Sequence, residues 1–257
     1  MQFFKMQSMG NDFVVFGSPS SAKCPNADKI AQLCDRRYGV GADCAIFIAK
    51  SKCNDYSMHV YNPDGFEAEI CGNALKCSAK YVTERGYFKR KQLFAETLSG
   101  TRELYIDGNC VNAQIGTPRI IENGCLDLYG MSLPYTLVDM GNPHCVVFLS
   151  QLTNEQFLLL GPFIEKHKNF LNGTNVEFAS IIDERNIKMR VWERGIGETL
   201  SCITGSCACV AAASHFGICE NEVAVHQRGG IADIKIEKNG CLTTKGEVHT
   251  VFTGKII

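Results

Sequence analysis

Two cysteines stand where a thiol could do acid–base chemistry. Cys202 closes the stretch Trp192-Glu193-Arg194-Gly195-Ile196-Gly197-Glu198-Thr199-Leu200-Ser201-Cys202, and a small-residue run of helical character follows it. Cys71 closes Tyr61-Asn62-Pro63-Asp64-Gly65-Phe66-Glu67-Ala68-Glu69-Ile70-Cys71, again before a helical pattern. A thiol at a helix N-terminus faces oriented N–H groups that favour negative charge. Both cysteines are therefore expected to have lowered pKa values and to supply thiolate as base or nucleophile. One thiolate could take a proton from a carbon, and an opposing thiol could return one to the other face. Such a pair inverts a stereocentre, provided the two sulfurs start in opposite protonation states. Helix N-termini behind both cysteines could stabilise the enediolate-like charge that forms next to a carboxylate.

The two stretches match position by position. Val60 precedes Cys71 by eleven positions, and Val191 precedes Cys202 by eleven. Glu67 and Glu198 lie four before their cysteines, and Gly86 and Gly217 lie fifteen after. Upstream, Met9-Gly10-Asn11 matches Met140-Gly141-Asn142 at the same offset of 131. Agreement at several landmarks predicts a duplication, hence two homologous domains that each present one cysteine. Strands outnumber helices in the pattern, and each half has one strongly apolar helix. The expectation is an α+β fold, each domain a mostly antiparallel β-sheet or barrel wrapped around a central helix. The active site is expected in the cleft between the domains.

The elements that must position the cysteines can be read locally. Strands are expected over Phe3–Phe16 around a turn at residues 8–11, and over Ala45–Ile48 and Tyr56–Tyr61. A helix is expected from Asn26 to Arg37, and another from Asn73 to Arg85 with Asn73 as cap. Three strands fill Gln92–Gly116, and Pro118 with an Asn123-Gly124 turn marks the domain boundary. The second half repeats the plan. It has strands at Tyr135–Val138, His144–Phe148, Val176–Ile182 and Ile187–Trp192, and hairpins from Glu222 onward. A helix near Thr153–Lys168 is interrupted at Gly161-Pro162, and another spans Thr204–Phe216. Glu198 is expected to satisfy loop N–H groups.

Composition narrows the function classes. The chain has 257 residues, 45% hydrophobic, with a net charge of −1, so no nucleic-acid or anionic-membrane partner is expected. No apolar run approaches a membrane span, and no leader is read at the start. Fourteen cysteines without a leader read as reduced thiols of a cytoplasmic protein. No C-x-x-C occurs, and Cys207-Ala208-Cys209 lacks a second ligand pair, so no metal is expected. No phosphate loop or Schiff-base lysine motif stands out, so no cofactor is expected. From other classes, the cysteine pair could serve a thiol redox protein, or the chain could be a non-catalytic binding module.

The motifs taken together resemble the diaminopimelate epimerase family. The resemblance rests on Met9-Gly10-Asn11-Asp12-Phe13, Arg37-Tyr38-Gly39-Val40-Gly41, Asn62-Pro63-Asp64-Gly65 and Cys71-Gly72-Asn73. In the second half it rests on Gly141-Asn142-Pro143-His144-Cys145, Asn175-Val176, Glu193-Arg194-Gly195-Ile196-Gly197-Glu198-Thr199 and Cys202. It implies a cofactor-independent isomerase that interconverts LL- and meso-diaminopimelate for lysine and peptidoglycan precursors. It implies domains 1–118 and 119–246, with a final strand near 247–257 returning to the first, and a homodimer. Cys71 and Cys202 would be the acid–base pair, with His144 and Glu193 beside them. Asn11, Cys44, Asn62, Asn142, Asn175 and Arg194 would surround the far end of the amino-acid substrate. Gly72, Asn73, Ile203 and Thr204 would offer backbone N–H groups to the near carboxylate. Three positions depart from the family pattern. Cys44 stands for a glutamine, Ile203 for a glycine, and Ala74-Leu75-Lys76 for Gly-Ala-Arg. The first leaves open a racemase of broader or shifted range, one that accepts glutamate for example. A proline-racemase-like enzyme of the same fold is the other alternative.

Overall fold

The structure is a computed structural model that describes residues 1–23, 25–128 and 130–256. The end of the expected final strand, Ile257, lies outside the described residues. The chain forms two units, Met1–Gln114 with Lys245–Ile257, and Ile115–Thr244. The changes between them fall after Gln114 and after Thr244, each inside a strand.

The first unit runs β1 (Gln2–Ser8), β2 (Asn11–Gly17), α1 (Ala27–Cys34), β3 (Cys44–Ala49), β4 (Tyr56–Tyr61), β5 (Glu67–Ala68), α2 (Gly72–Glu84), β6 (Gln92–Thr97), β7 (Gly100–Asp107) and β8 (Cys110–Gly116). The second runs β9 (Arg119–Leu128), β10 (Met131–Asp139), β11 (Pro143–Phe148), α3 (Asn154–Glu165), β12 (Asn175–Asp183), β13 (Asn186–Glu193), β14 (Gly197–Glu198), α4 (Ile203–His215), β15 (Glu222–Gln227), β16 (Gly230–Ile236) and β17 (Leu242–Glu247). The last strand, β18 (His249–Lys255), lies antiparallel to β1, with Gln2 opposite Lys255 and Gln7 opposite His249.

The offset of 131 read from the motifs holds for whole elements. It carries Gly72–Glu84 onto Ile203–His215, residue for residue. It carries the strands around α2 onto the strands around α4: α2 packs on β1, β2, β3, β4 and β7, and α4 on β10, β11, β12, β13 and β16. Pairing is antiparallel for most strands, as expected. Parallel pairs also occur at matching places, β2–β3 and β4–β6 in the first unit, β11–β12 and β13–β15 in the second. Each sheet closes on its helix from several sides, so the helix cannot keep a polar face. Ten of the thirteen residues of α2 are buried, and eleven of the thirteen of α4. The small residues of α4, such as Gly205, Ala208, Ala211 and Ala212, let the strands approach closely.

Three local expectations fail, each for a packing reason. The helix expected over 26–37 ends at Cys34, because the Asp35 carboxylate accepts from the N–H groups of Arg37 and Tyr38 at 2.7 Å and makes a turn. Asn123-Gly124 is not a turn but lies inside β9, with Gly124 opposite Tyr135. A Cβ at residue 124 would fall 2.5 Å from the Tyr135 ring, so the glycine seats that ring. The helix α3 runs unbroken through Gly161-Pro162. Residue 161 lies under Trp192, where a Cβ would come within 2.8 Å of the indole, so packing rather than helix termination explains this glycine.

Candidate active site

Cys71 and Cys202 are the N-caps of α2 and α4, and their backbones are nearly identical. Their φ and ψ are −139° and 115° at Cys71, and −133° and 113° at Cys202. Each Sγ accepts from the N–H three residues on, Ala74 at 3.5 Å and Gly205 at 3.4 Å. Asn73, expected to cap α2, instead lies buried in its first turn, because the thiol of Cys71 already takes the capping place. Gly72 begins α2 beside it, and Ile203 and Thr204 hold the equivalent places at the start of α4.

The two sulfurs differ in surroundings. Cys71 is half-buried, with its Sγ 3.7 Å from Asn11 Oδ1. Cys202 is buried, with its Sγ 3.4 Å from Thr204 Oγ1. Burial, helped by the Glu193 and Glu177 carboxylates, pushes the Cys202 thiol well above its ordinary value. The Thr204 hydroxyl and the Gly205 N–H pull the other way and lose. At Cys202 desolvation outweighs the pull of the helix, so its pKa goes up where the helix N-terminus alone would lower it.

In the first unit the site is built on a charged cluster. Asn11 Nδ2 donates to Asp43 Oδ2 at 2.9 Å, which leaves Oδ1 facing Cys71. Asp43 Oδ2 also accepts from the N–H of Asp12 at 3.1 Å. Arg36 joins the two carboxylates, and Lys5 donates to Asp12 and to the carbonyl of Gly41. Burial alone would push the Asp12 carboxyl up. The hydrogen bonds from Arg36 and Lys5 outweigh it and hold the group well below the usual carboxylate range. A depressed folded pKa contributes stability that is fully present above the unfolded value, about 4, and is lost as pH falls toward the folded one. The difference in urea midpoint between wild type and Asp12→Asn is therefore expected to be constant from pH 5 to 7 and to shrink below about pH 4. A difference that grows on acidification would contradict this assignment. Cys44 is buried on β3, with its Sγ 3.8 Å from Asn62 Oδ1.

In the second unit His144 is fully buried on β11. Its Nδ1 lies 2.7 Å from Glu177 Oε1, and its Nε2 lies 3.0 Å from Asn142 Oδ1. Asn175 Nδ2 donates to the carbonyl of Pro143, and its Oδ1 accepts from the N–H of Arg194, both at 2.9 Å. One amide thereby ties the Asn142 loop to the Arg194 loop. Glu193 accepts from the Thr199 hydroxyl at 2.5 Å across the tight β13–β14 turn. The N–H of Cys202 donates to Gln227 Oε1 at 2.8 Å, and Gln227 Nε2 donates to Ser206. Glu198 pairs with Arg190 and Arg228 at 2.8 and 3.0 Å and so binds cations rather than loop N–H groups.

Sequence reading missed Asp43, Glu177 and Gln227. Glu177 alone left a trace, a charge inside the apolar run Val176-Glu177-Phe178 of a buried strand. Among the described residues no group of three or more His, Cys, Asp or Glu is placed to hold a metal ion. No helix among the described residues is long and apolar enough to cross a membrane.

The architecture is that of a two-repeat epimerase. A hydroxyproline epimerase from Agrobacterium vitis superposes with a TM-score of 0.80 at 15% identity, over 99% of this chain and 91% of that one. The sequence matches the diaminopimelate epimerase family model over residues 3–121 and 136–251. The diaminopimelate epimerase of Pelotomaculum thermopropionicum is 38% identical over 275 residues, covering 99% of this chain and 98% of the relative. That of Desulfitobacterium hafniense is 38% identical over 280 residues, covering 100% and 98%. The chain belongs to the diaminopimelate epimerase family and is an isomerase.

Proposed function

We propose that this isomerase interconverts LL- and meso-diaminopimelate by passing a proton through Cys71 and Cys202. The observation that supports this most is the pair of cysteine N-caps, alike in backbone and capping bond, set in two copied units. The thiolate of one cysteine takes the α-hydrogen as a proton. The electron pair left on carbon spreads into the adjacent carboxylate, which the first N–H groups of α2 and α4, at Gly72, Asn73, Ile203 and Thr204, stabilise. The thiol of the other cysteine then delivers its proton to the opposite face. The product is the inverted centre, and the two sulfurs have exchanged protonation states. Burial favours the thiol form of Cys202, which suits it to the donor role with Cys71 as the acceptor. The pair supplies both acceptor and donor, so the reaction needs no cofactor. Arg194 with Asn11, Asn62, Asn142 and Asn175 holds the distal amino-acid group, and His144 and Glu193 stand beside the chemistry. The setting is a cytoplasmic homodimer that feeds lysine and peptidoglycan synthesis.

The test is proton exchange in deuterated water. Deuterium is expected at the α-carbon of diaminopimelate, with LL and meso forms reaching equilibrium after dialysis against chelator and in the presence of reductant. Wash-in that requires an added cofactor, or none at all, would refute the reading.

Cys44 favours a wider substrate range. A thiol replaces an amide that could bond the distal amino-acid group, and losing such a contact relaxes discrimination. Cys44→Gln is expected to raise the kcat/KM ratio of diaminopimelate over glutamate about tenfold or more. No glutamate turnover by either protein would end this idea.

A further inference from the structure

The second unit carries a buried pair that the proton transfer through sulfur does not use. His144 and Glu177 are both wholly excluded from solvent, and their side chains meet at 2.7 Å. Glu177 Oε2 has no hydrogen-bond partner among the described residues. At the first turn of α4, a Cβ on Gly205 would fall 2.6 Å from Glu177 Oε1. The helix that begins at Cys202 therefore rests on this carboxylate.

The duplication shows what packing alone selects at these positions. Shifted back by 131, His144, Glu177 and Gly205 become Phe13, Ile46 and Ala74. Phe13 and Ile46 are fully buried in the first unit, on β2 and β3, as their counterparts are on β11 and β12. A buried ionic pair is no more stabilising than apolar residues of similar volume, and is often less so. The first unit has the apolar solution. The second has the polar one, with Gly205 leaving space beside the carboxylate. His144 and Glu177 touch, so these two differences form one device rather than two independent replacements.

We propose that Glu177 is a positioning residue of the isomerase: its carboxylate, 2.7 Å from Nδ1, holds the His144 ring and fixes its orientation, so that the opposite nitrogen, Nε2, stays beside Asn142. The Glu177 carboxylate also acts on the thiols of Cys145 on β11 and of Cys202 and Cys209 on α4, and burial pushes all three up. Glu122 on β9 acts on Cys145, and Glu193 on β13 acts on Cys202. The device makes two copied thiol sites unequal, which is what an acid–base pair at one pH requires.

This rests on the proposed reaction, and two readouts separate its failure from that of the reaction. The first needs no substrate. In protein with nitrogen-15 histidine, NMR is expected to show a hydrogen on His144 Nδ1 that is held against exchange with solvent, and Glu177→Gln is expected to weaken that protection. An unprotected Nδ1 in wild type would overturn the inference, whatever the protein catalyses. The second is kinetic, with wild-type turnover of LL-diaminopimelate as the check on the reaction itself. Glu177→Gln is expected to lower kcat about 10- to 1000-fold with KM within about twofold. A folded Glu177→Gln protein with kcat within twofold would overturn the inference. Should that variant not fold, the triple change His144→Phe, Glu177→Ile and Gly205→Ala installs the first unit's residues. It is expected to fold with a Tm at or above that of wild type and to be inactive. Activity in the triple variant would equally overturn the inference.

Discussion

Serine at Cys71 or at Cys202 is expected to reduce inversion at the α-carbon by about 10³-fold or more, since a positioned acid or base contributes roughly 10² to 10⁴. A hydroxyl is nearly isosteric with a thiol but is a far poorer base at neutral pH. Each cysteine is also an N-cap whose sulfur accepts one N–H, at 3.5 and 3.4 Å. Serine is a good N-cap, so the helices should survive and Tm should change little. The two variants should differ in one respect. Cys202→Ser loses the proton donor of the resting pair, so α-hydrogen wash-out from one epimer should outlast net inversion. Cys71→Ser loses the first acceptor, so both should vanish for that epimer. Near-wild-type inversion by either variant would defeat the two-thiol mechanism.

Arg194→Ala is expected to lower kcat/KM for diaminopimelate about 100-fold, mostly through KM. Arg194 is half-buried on the loop after β13, where its N–H is fixed by Asn175. Its aliphatic stem runs past Gly173, and a Cβ at that glycine would sit 3.4 Å from Arg194 Cγ and Cδ. Gly173 has φ of 70°, a conformation that excludes most other residues, so loop and arginine are set together. Truncating one partner of a desolvated charge pair costs on the order of 2–5 kcal/mol, and about 1.4 kcal/mol is tenfold. Arg194→Lys keeps the charge but loses the planar fork, and should fall between wild type and alanine. An alanine variant within threefold of wild type would show that the distal carboxylate is held elsewhere.

Much of the architecture was legible because it was written twice. Matching eleven-residue spacings to Cys71 and Cys202 showed the duplication, and the same offset later carried all of α2 onto α4. Helix ends with glycine were legible for a local reason. Gly86 and Gly217 have φ of 72° and 67°, which follows from backbone sterics at a C-terminus and needs no tertiary information.

Glycines whose role is to make space were not legible. Gly124 and Gly161 read as a turn and a helix break, yet they seat Tyr135 and Trp192, which lie eleven and thirty-one residues away in sequence. A glycine that frees the backbone and one that yields volume are the same letter. The difference lies in what packs over it, and that is decided by strand register.

The surroundings of the two thiols were decided in the same way. Sequence placed a thiol at each helix N-terminus, and on that ground alone both should favour thiolate. The fold left Cys71 half-buried beside Asn11, and sealed Cys202 in with Glu193 and Glu177. Glu177 lies twenty-five residues from Cys202 in sequence and carries no motif; the pairing of β11 with β12 brings it to His144. Residue types, spacing and repeat are one-dimensional and were determined by the sequence alone. Desolvation and charge proximity depend on which side chains meet across strands, so only the tertiary structure decided that Cys202 is the sealed sulfur, with its pKa raised.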